Sequence, residues 1–222
     1  PDETTIPSQM LELEALMPDP DLPDYQPTWL ASNAPAIAKL PLRLSPSAIA
    51  PSETATVGEI IELGERLEIN GEYDPATLGS ALHAVIATTL IGQQSTERVL
   101  LEHGMESTIS VEAADESANR LLAAIHEHFK PINAYTEYPI HYTNDNDQVI
   151  SGWIDLLVET EEGFVLIDHK ASPRARSDWG EIALGYSGQL EAYAAGITHA
   201  TGKPVISRRI HFAVTGGLVE VC

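Results

Sequence analysis

The chain has almost no cysteine: its single thiol belongs to the last residue, Cys222. An internal disulfide and any cysteine-held zinc or iron-sulfur centre are therefore excluded within these 222 residues. Long apolar runs are missing too. No stretch of about 18 hydrophobic residues occurs, and the first residues lack the charged, apolar, small-residue order of a signal peptide, so neither a membrane span nor a leader is expected. No GxxxxGK[ST] loop is present to cradle phosphates, and no ATP site is expected in this chain. Basic residues are scarce, with 12 Lys and Arg against 33 Asp and Glu and a net charge of −21. Affinity for a phosphate backbone comes largely from cations that neutralise it, so this balance argues against tight nucleic-acid binding by the chain alone. The deficit is uneven. From Lys170 to Arg209 six basic residues meet three acids, a local charge of +3, and the remainder carries −24.

What is present is globular. Hydrophobic residues make up 43% of the chain, enough for one well-buried domain with an irregular arm. Ten of the 15 prolines fall in residues 1–52, so this stretch is expected to be an extended arm with a short helix at Ser8 to Met17, and residues 53–222 the folded domain. Thr56 to Asn70 is compatible with a helix. Ala76 to Ile91 reads as a second, with Leu78, Leu82, Val85, Ile86 and Leu90 at helical spacing. Gly79 and His83 share one face of it, where the glycine would let a strand or a metal ion approach the imidazole. Ser95 to His103 and Val111 to His128 follow as helices, the latter capped by Ser110. His126 and His128 are two apart, point to different sides and are read as solvated. Ala134 to Tyr142 alternates as a strand, NDND at Asn144 to Asp147 turns, and a long strand begins at Gln148. Glu181 to His199 reads as one helix bearing Gln189 and Tyr193 at i and i+4, an amide and a phenol suited to contacts with phosphate or sugar. Val205 to Val214 and Leu218 to Val221 close the chain as a hairpin about Gly216-Gly217. Helices before, between and after strands predict an α/β sandwich with a central mixed sheet.

The stretch that carries chemistry is GWIDLLVETEEGFVLIDHK, Gly152 to Lys170. Two aliphatic runs flank a polar turn, the pattern of an antiparallel hairpin, and each holds one acid where a buried strand prefers hydrocarbon: Asp155 and Asp168. If Glu161 and Glu162 form the turn, Asp155 sits opposite Asp168; if Glu162 and Gly163 do, it faces Lys170. Both registers put the three polar side chains on one face, and a three-residue loop would separate them. Such a group costs several kcal/mol to desolvate unless it pairs internally or binds a cation. A salt bridge between Lys170 and an aspartate is one reading. The other is a Mg²⁺ or Mn²⁺ site in which the lysine holds the attacking hydroxide or a scissile phosphate.

GWIDLL followed by LIDHK resembles the active-site hairpin of the PD-(D/E)xK nuclease superfamily, an acid on one strand and acid-x-lysine on the next. LGSALHAVI, with His83, is similar to the helix that supplies a histidine metal ligand in the RecB/AddA-like branch. GQLEAY, with Gln189 and Tyr193, resembles that branch's glutamine and tyrosine motif, and LRLSPSAIA at Leu42 to Ala50 resembles the opening segment of the same nuclease domain. The four occur in family order from Leu42 to the C-terminus.

The resemblance implies a restriction-endonuclease-like α/β sandwich and the C-terminal nuclease domain of a helicase-nuclease that processes DNA double-strand ends. It implies Mg²⁺ (or Mn²⁺) held by His83, Asp155, Asp168 and the carbonyl of His169, with Lys170, Asp168 and Asp155 catalytic. Glu137 resembles an acid that many members carry as a metal or second-sphere group; it reads equally as a solvent-facing glutamate. Gln189 and Tyr193, with Arg174 and Arg176 of the basic strip, would contact DNA. The Pro-rich arm would be the tether from missing helicase domains, and the partners DNA, those domains and a second subunit of AddB or RecC type, with no membrane. Some relatives staple this domain with an iron-sulfur cluster, which a chain with one cysteine cannot do. The expected place of action is the bacterial cytoplasm, at the nucleoid. Two other functions remain in view: a catalytically silent nuclease fold that docks a partner subunit, against which the intact set of His83, Asp155, Asp168 and Lys170 speaks, and a hydrolase of RNA or nucleotides.

Overall fold

A computed structural model describes residues 42–92 and 94–222. The expected helix at Ser8 to Met17 lies outside these residues. Seven strands form one mixed sheet: β1 (Arg43–Leu44), β2 (Val57–Glu62), β3 (Asn133–Thr143), β4 (Val149–Glu159), β5 (Phe164–Lys170), β6 (Val205–Phe212) and β7 (Gly217–Val221). Their order is β1-β4-β5-β6-β7-β2, with β3 on the other edge of β4, paired from end to end except at Glu137 and Asp155. β5 is central and parallel to β6, and its first six residues are buried. Pro139, which lacks an N–H, falls in β3, where only one edge is paired and the missing donor costs no ladder bond on the open side.

Helices cover both faces of this sheet. On one side α1 (Pro75–Ile91), α2 (Thr96–Glu102) and α3 (Val111–Phe129) bury Leu78, Leu82, Val85, Leu121 and Ile125 against Leu156, Val158, Val165 and Ile167. On the other, α4 (Trp179–Leu184) and α5 (Ser187–Thr201) bury Trp179, Leu190 and Ile197 against Ile154, Leu157, Leu166, Ile210 and Phe212. The architecture is the expected α/β sandwich with a mixed sheet, consistent with a restriction-endonuclease-like fold. α1 starts where Asp74 accepts from the Thr77 N–H at 2.8 Å, with Pro75 in the first turn, and stops at Gly92. Among the described residues, no helix is long and apolar enough to cross a membrane.

Four local expectations change. Thr56 to Asn70 does not form a helix; Val57–Glu62 pairs with β7 instead, because a β-branched run broken by Gly58 and Gly64 gains more from an open sheet edge than from a helix. Glu181 to His199 is two helices, broken at Gly185-Tyr186, where the Ser187 hydroxyl donates to the Leu184 carbonyl and accepts from the Ser52 N–H. The last hairpin turns at 213–216, and Gly217 already pairs with Phe212. Residues 43–50, expected in the arm, contact the sheet and α5. β1 pairs with β4, and the segment after it packs so closely on α5 that a Cβ at Gly188 would collide with the Ala50 carbonyl oxygen. Residues from Arg43 on are thus part of the fold.

Candidate active site

β4 and β5 pair from Glu159 with Phe164 to Leu156 with Ile167, the register in which Glu161 and Glu162 form the turn and Asp155 stands opposite Asp168. There the ladder stops. The Asp155 carboxylate accepts the His169 N–H at 2.7 Å through Oδ2, taking the place of a strand carbonyl. β3 and β4 skip the same level: Thr136 pairs with Leu156 and Tyr138 with Ile154, but Glu137 and Asp155 between them do not pair.

Glu137 has φ 49, a left-handed conformation that costs an L-residue about 1–2 kcal/mol. Its consequence is a reversal of side-chain order. Ala134 packs in the α1 to α3 layer, whereas Tyr138, Ile140 and Tyr142 pack in the α4 to α5 layer. β4 rolls over at the same point, since Ile150 and Ile154 reach the α5 layer from even positions and Leu157 from an odd one, with Leu156 and Val158 now on the other side. The two acids at the roll leave the regular alternation and meet His83 of α1. One ligand atom each from His83, Glu137 and Asp155 lie within 4.8 Å of one another. Strain of this kind persists where surrounding structure enforces it, often at functional sites.

His83 places Nδ1 3.7 Å from Asp155 Oδ1 and Nε2 3.1 Å from the His169 carbonyl oxygen. The carbonyl only accepts, so Nε2 carries the proton in that contact. Gly79 does not have the expected role: a Cβ there would rest 3.7 Å from Ala171 Cβ, an ordinary contact. Asp168 stands outside the three-residue cluster and is 2% exposed. Its Oδ1 accepts from Gln189 Nε2 at 2.7 Å, and Oδ2 lies 2.7 Å from Lys170 Nζ. The ammonium in turn sits 4.3 Å from the centre of the Tyr186 ring. Gln189 and Tyr193 are buried and 3.4 Å apart, and they line the wall behind Asp168. Burial pushes the Tyr193 phenol up to about 12.

The electrostatics favour a bound cation. Burial, and then the charge of Asp168, raise the Asp155 carboxyl to about 6. Burial also raises Asp168, against the opposing pull of Lys170. Two acids that resist ionisation beside an imidazole are relieved by a hard divalent ion, and their oxygen and nitrogen donors fit Mg²⁺ or Mn²⁺. An open cleft of about 420 Å³ leads to this group past Gly79, His83, His169, Lys170 and Tyr186.

The basic strip divides. Arg174 is exposed and lines a neighbouring cleft with Tyr186, while Arg176 is paired with Glu62 of β2. His126 and His128 are exposed, as their spacing suggests. Sequence reasoning missed Tyr186 beneath Lys170 and His211 beside His169. The two buried imidazoles meet Nδ1 to Nδ1 at 3.0 Å, and burial lowers both, His211 to about 3, so one donates and the other accepts as neutral rings. Neither residue carries a motif. Tyr186 is visible only once the helix break places it under the lysine.

Comparison with known proteins places the chain among nucleases. Three ATP-dependent helicase/nuclease subunits, each named as the A chain of its enzyme, align with this sequence. That of Thermoanaerobacter sp. (strain X514) is 35% identical over 86 residues, 39% of this chain and 7% of the relative. Those of Lacticaseibacillus casei (strain BL23) and Carboxydothermus hydrogenoformans are 25% and 27% identical over 95% and 79% of this chain. The chain spans at most 17% of the length of these relatives. The family model of the PD-(D/E)XK nuclease superfamily matches residues 43–216, which holds every residue of the site described above. The chain belongs to the PD-(D/E)XK nuclease superfamily.

Proposed function

We propose that this domain is a metal-dependent deoxyribonuclease, an exonuclease that forms the C-terminal nuclease part of an AddA/RecB-like helicase-nuclease in double-strand break repair and recombination. The observation that carries this reading is the meeting of His83, Glu137 and Asp155 beside the Asp168 and Lys170 pair. Residues 43–222 are the nuclease, and the proline-rich residues before them tether it to helicase domains. Those domains and a second subunit of AddB or RecC type deliver the DNA that a chain of charge −21 holds poorly by itself.

Mg²⁺ or Mn²⁺ is the ion assigned to the site, with His83, Asp155, Asp168 and the His169 carbonyl as ligands and Glu137 as a further carboxylate within reach. The ion, when bound, polarises the scissile phosphate and makes its water more acidic. Lys170 orients the attacking water and offsets charge that develops on the phosphate oxygens. Tyr186 holds that ammonium through its ring face, and Gln189 fixes the Asp168 carboxylate through Oδ1. Asp155 ties the ends of the two strands together by accepting the His169 N–H, so the His169 carbonyl on the other side of that residue stays turned to His83. Arg174, exposed at the neighbouring cleft, is the cation assigned to the DNA backbone.

Single-stranded DNA, duplex DNA and RNA incubated in parallel with Mg²⁺, Mn²⁺ or a chelator test the reading. DNA cut only in the presence of metal, with RNA spared, is the expected result. No cleavage of any substrate with either ion identifies a silent docking domain, and preferential cleavage of RNA overturns the substrate assignment.

A further inference from the structure

Trp153 stands two residues before Asp155 on β4 and is 60% exposed. Indole surface of that extent is costly to leave in water, and the other tryptophan among the described residues, Trp179, is 3% exposed. The fold itself holds Trp153 outward. A Cβ at Gly152 would lie 3.0 Å from the Pro46 ring and 3.2 Å from the Tyr193 ring, and Ile154 is fully buried in the α5 layer, so both neighbours of Trp153 are committed to one face and alternation sends the indole to the other. On that other face its surroundings are open: Pro139, paired with it across the strands, and His141 and Ser151, paired with each other, are all exposed. The same hairpin continues directly into Glu137 and Asp155, so this face adjoins the acids at the site.

We propose that Trp153 and the exposed β3–β4 face around it are a stacking platform for an unpaired nucleobase of the strand being cut. The inference rests on the nuclease reading of the adjoining site and adds the feature of the substrate it selects. Chemistry favours a base over a phosphate here. The side chains of this face are an indole, a proline ring, an imidazole and a hydroxyl, with acids Glu137 and Asp155 at one end and Asp145 and Asp147 in the turn at the other; Arg43, exposed on β1 beside Val149, is the cation at its side. A face poor in cations gains little from the phosphates of either a duplex or a single strand, so stacking is what it offers, and an aromatic ring stacks on any base whose own partner has been removed. The platform therefore selects a single strand or a frayed end, and discriminates against intact duplex, whose bases are already stacked.

Intrinsic fluorescence and labelled-oligonucleotide anisotropy on the full chain, with Ca²⁺ as the divalent ion, test this without relying on cleavage. Wild type, Trp153→Phe and Trp153→Ala are titrated with an oligothymidylate and with an abasic oligomer of equal length. The expected results are quenching of wild-type emission by the oligothymidylate that is absent from both variants, an affinity lower by roughly tenfold in Trp153→Ala, and near-wild-type affinity in Trp153→Phe. Equal affinity of wild type and Trp153→Ala, equal binding of the abasic oligomer, or no binding by wild type overturns the platform. A surface position leaves the melting temperature of the variants near that of wild type, which separates the effect from misfolding. Stacking without cleavage under any metal would sink the nuclease reading and leave the platform standing; cleavage with unchanged affinity would do the reverse.

Discussion

On the proposed function, Lys170→Ala is expected to lower the rate of DNA cleavage by about 10²- to 10³-fold while Mn²⁺ still raises the melting temperature. The reason lies in what the ammonium touches. It contacts Asp168 Oδ2 at 2.7 Å and the Tyr186 ring at 4.3 Å, so its place is fixed before substrate arrives, and of the His83, Glu137 and Asp155 cluster it acts on Asp155 through its charge alone, the least of the influences on that carboxyl. Truncation leaves Asp168 buried without its cation. In metal-free protein that carboxyl answers by holding a proton, in the direction burial already pushes it, and the fold survives. Lys170→Arg is expected to fail as well, since a planar fork cannot reproduce the compact ammonium that meets Asp168 Oδ2. Cleavage rates and Mn²⁺-dependent melting, measured on the same preparations, check this. Loss of metal binding in step with activity would make Lys170 a structural prop for the site.

Asp155→Asn moves stability and activity in opposite directions. The side-chain oxygen of asparagine still accepts the His169 N–H, so the splayed end of β4 and β5 is retained. What disappears is a buried charge beside Asp168. Because the folded carboxyl titrates near 6 and the unfolded one near 3.8, the native state holds the proton more tightly, and wild-type stability falls as pH rises through that window. Above pH 6 the ionised form costs on the order of 3 kcal/mol, so the metal-free variant melts higher than wild type by roughly 5–10 °C. The gain shrinks towards pH 4, where both proteins carry a neutral group. On the proposed function, Mn²⁺ is expected no longer to stabilise the variant, and cleavage to fall by about 10³-fold. Melting curves with and without Mn²⁺ across this pH range decide the matter. A variant less stable than wild type above pH 6 would contradict the strained-acid account.

Much of this was legible in residues because it depends on local pattern. The β4–β5 hairpin follows from two aliphatic runs about a polar turn, and parity puts both acids on one face in either of two registers, of which the structure has the one with Asp155 opposite Asp168. α1 and α3 follow from apolar spacing, and α3 also from the cap at Ser110, whereas the Asp74 cap of α1 came only with the structure. Elsewhere distant pairing decided the outcome. Val57–Glu62 became a strand because β7, at the far end of the chain, offered an edge that no local window reveals. The role of Glu137 was ambiguous for a specific reason: strict alternation gives it a face, but its φ of 49 inverts that face, and a glutamate bears no signature of such a conformation. Gln189 and Tyr193 share one helix face, as their spacing suggests, but only the packing of α5 on β5 shows that this face is buried against Asp168.

The central claim is that side chains from α1, β3, β4 and β5 converge on one divalent ion, and anomalous diffraction from a Mn²⁺-soaked crystal tests it most directly. A single peak roughly 2 Å from His83, Asp155, Asp168 and the His169 carbonyl, with Glu137 facing it, is the predicted result. A peak elsewhere, or none at a concentration that supports cleavage, would contradict it.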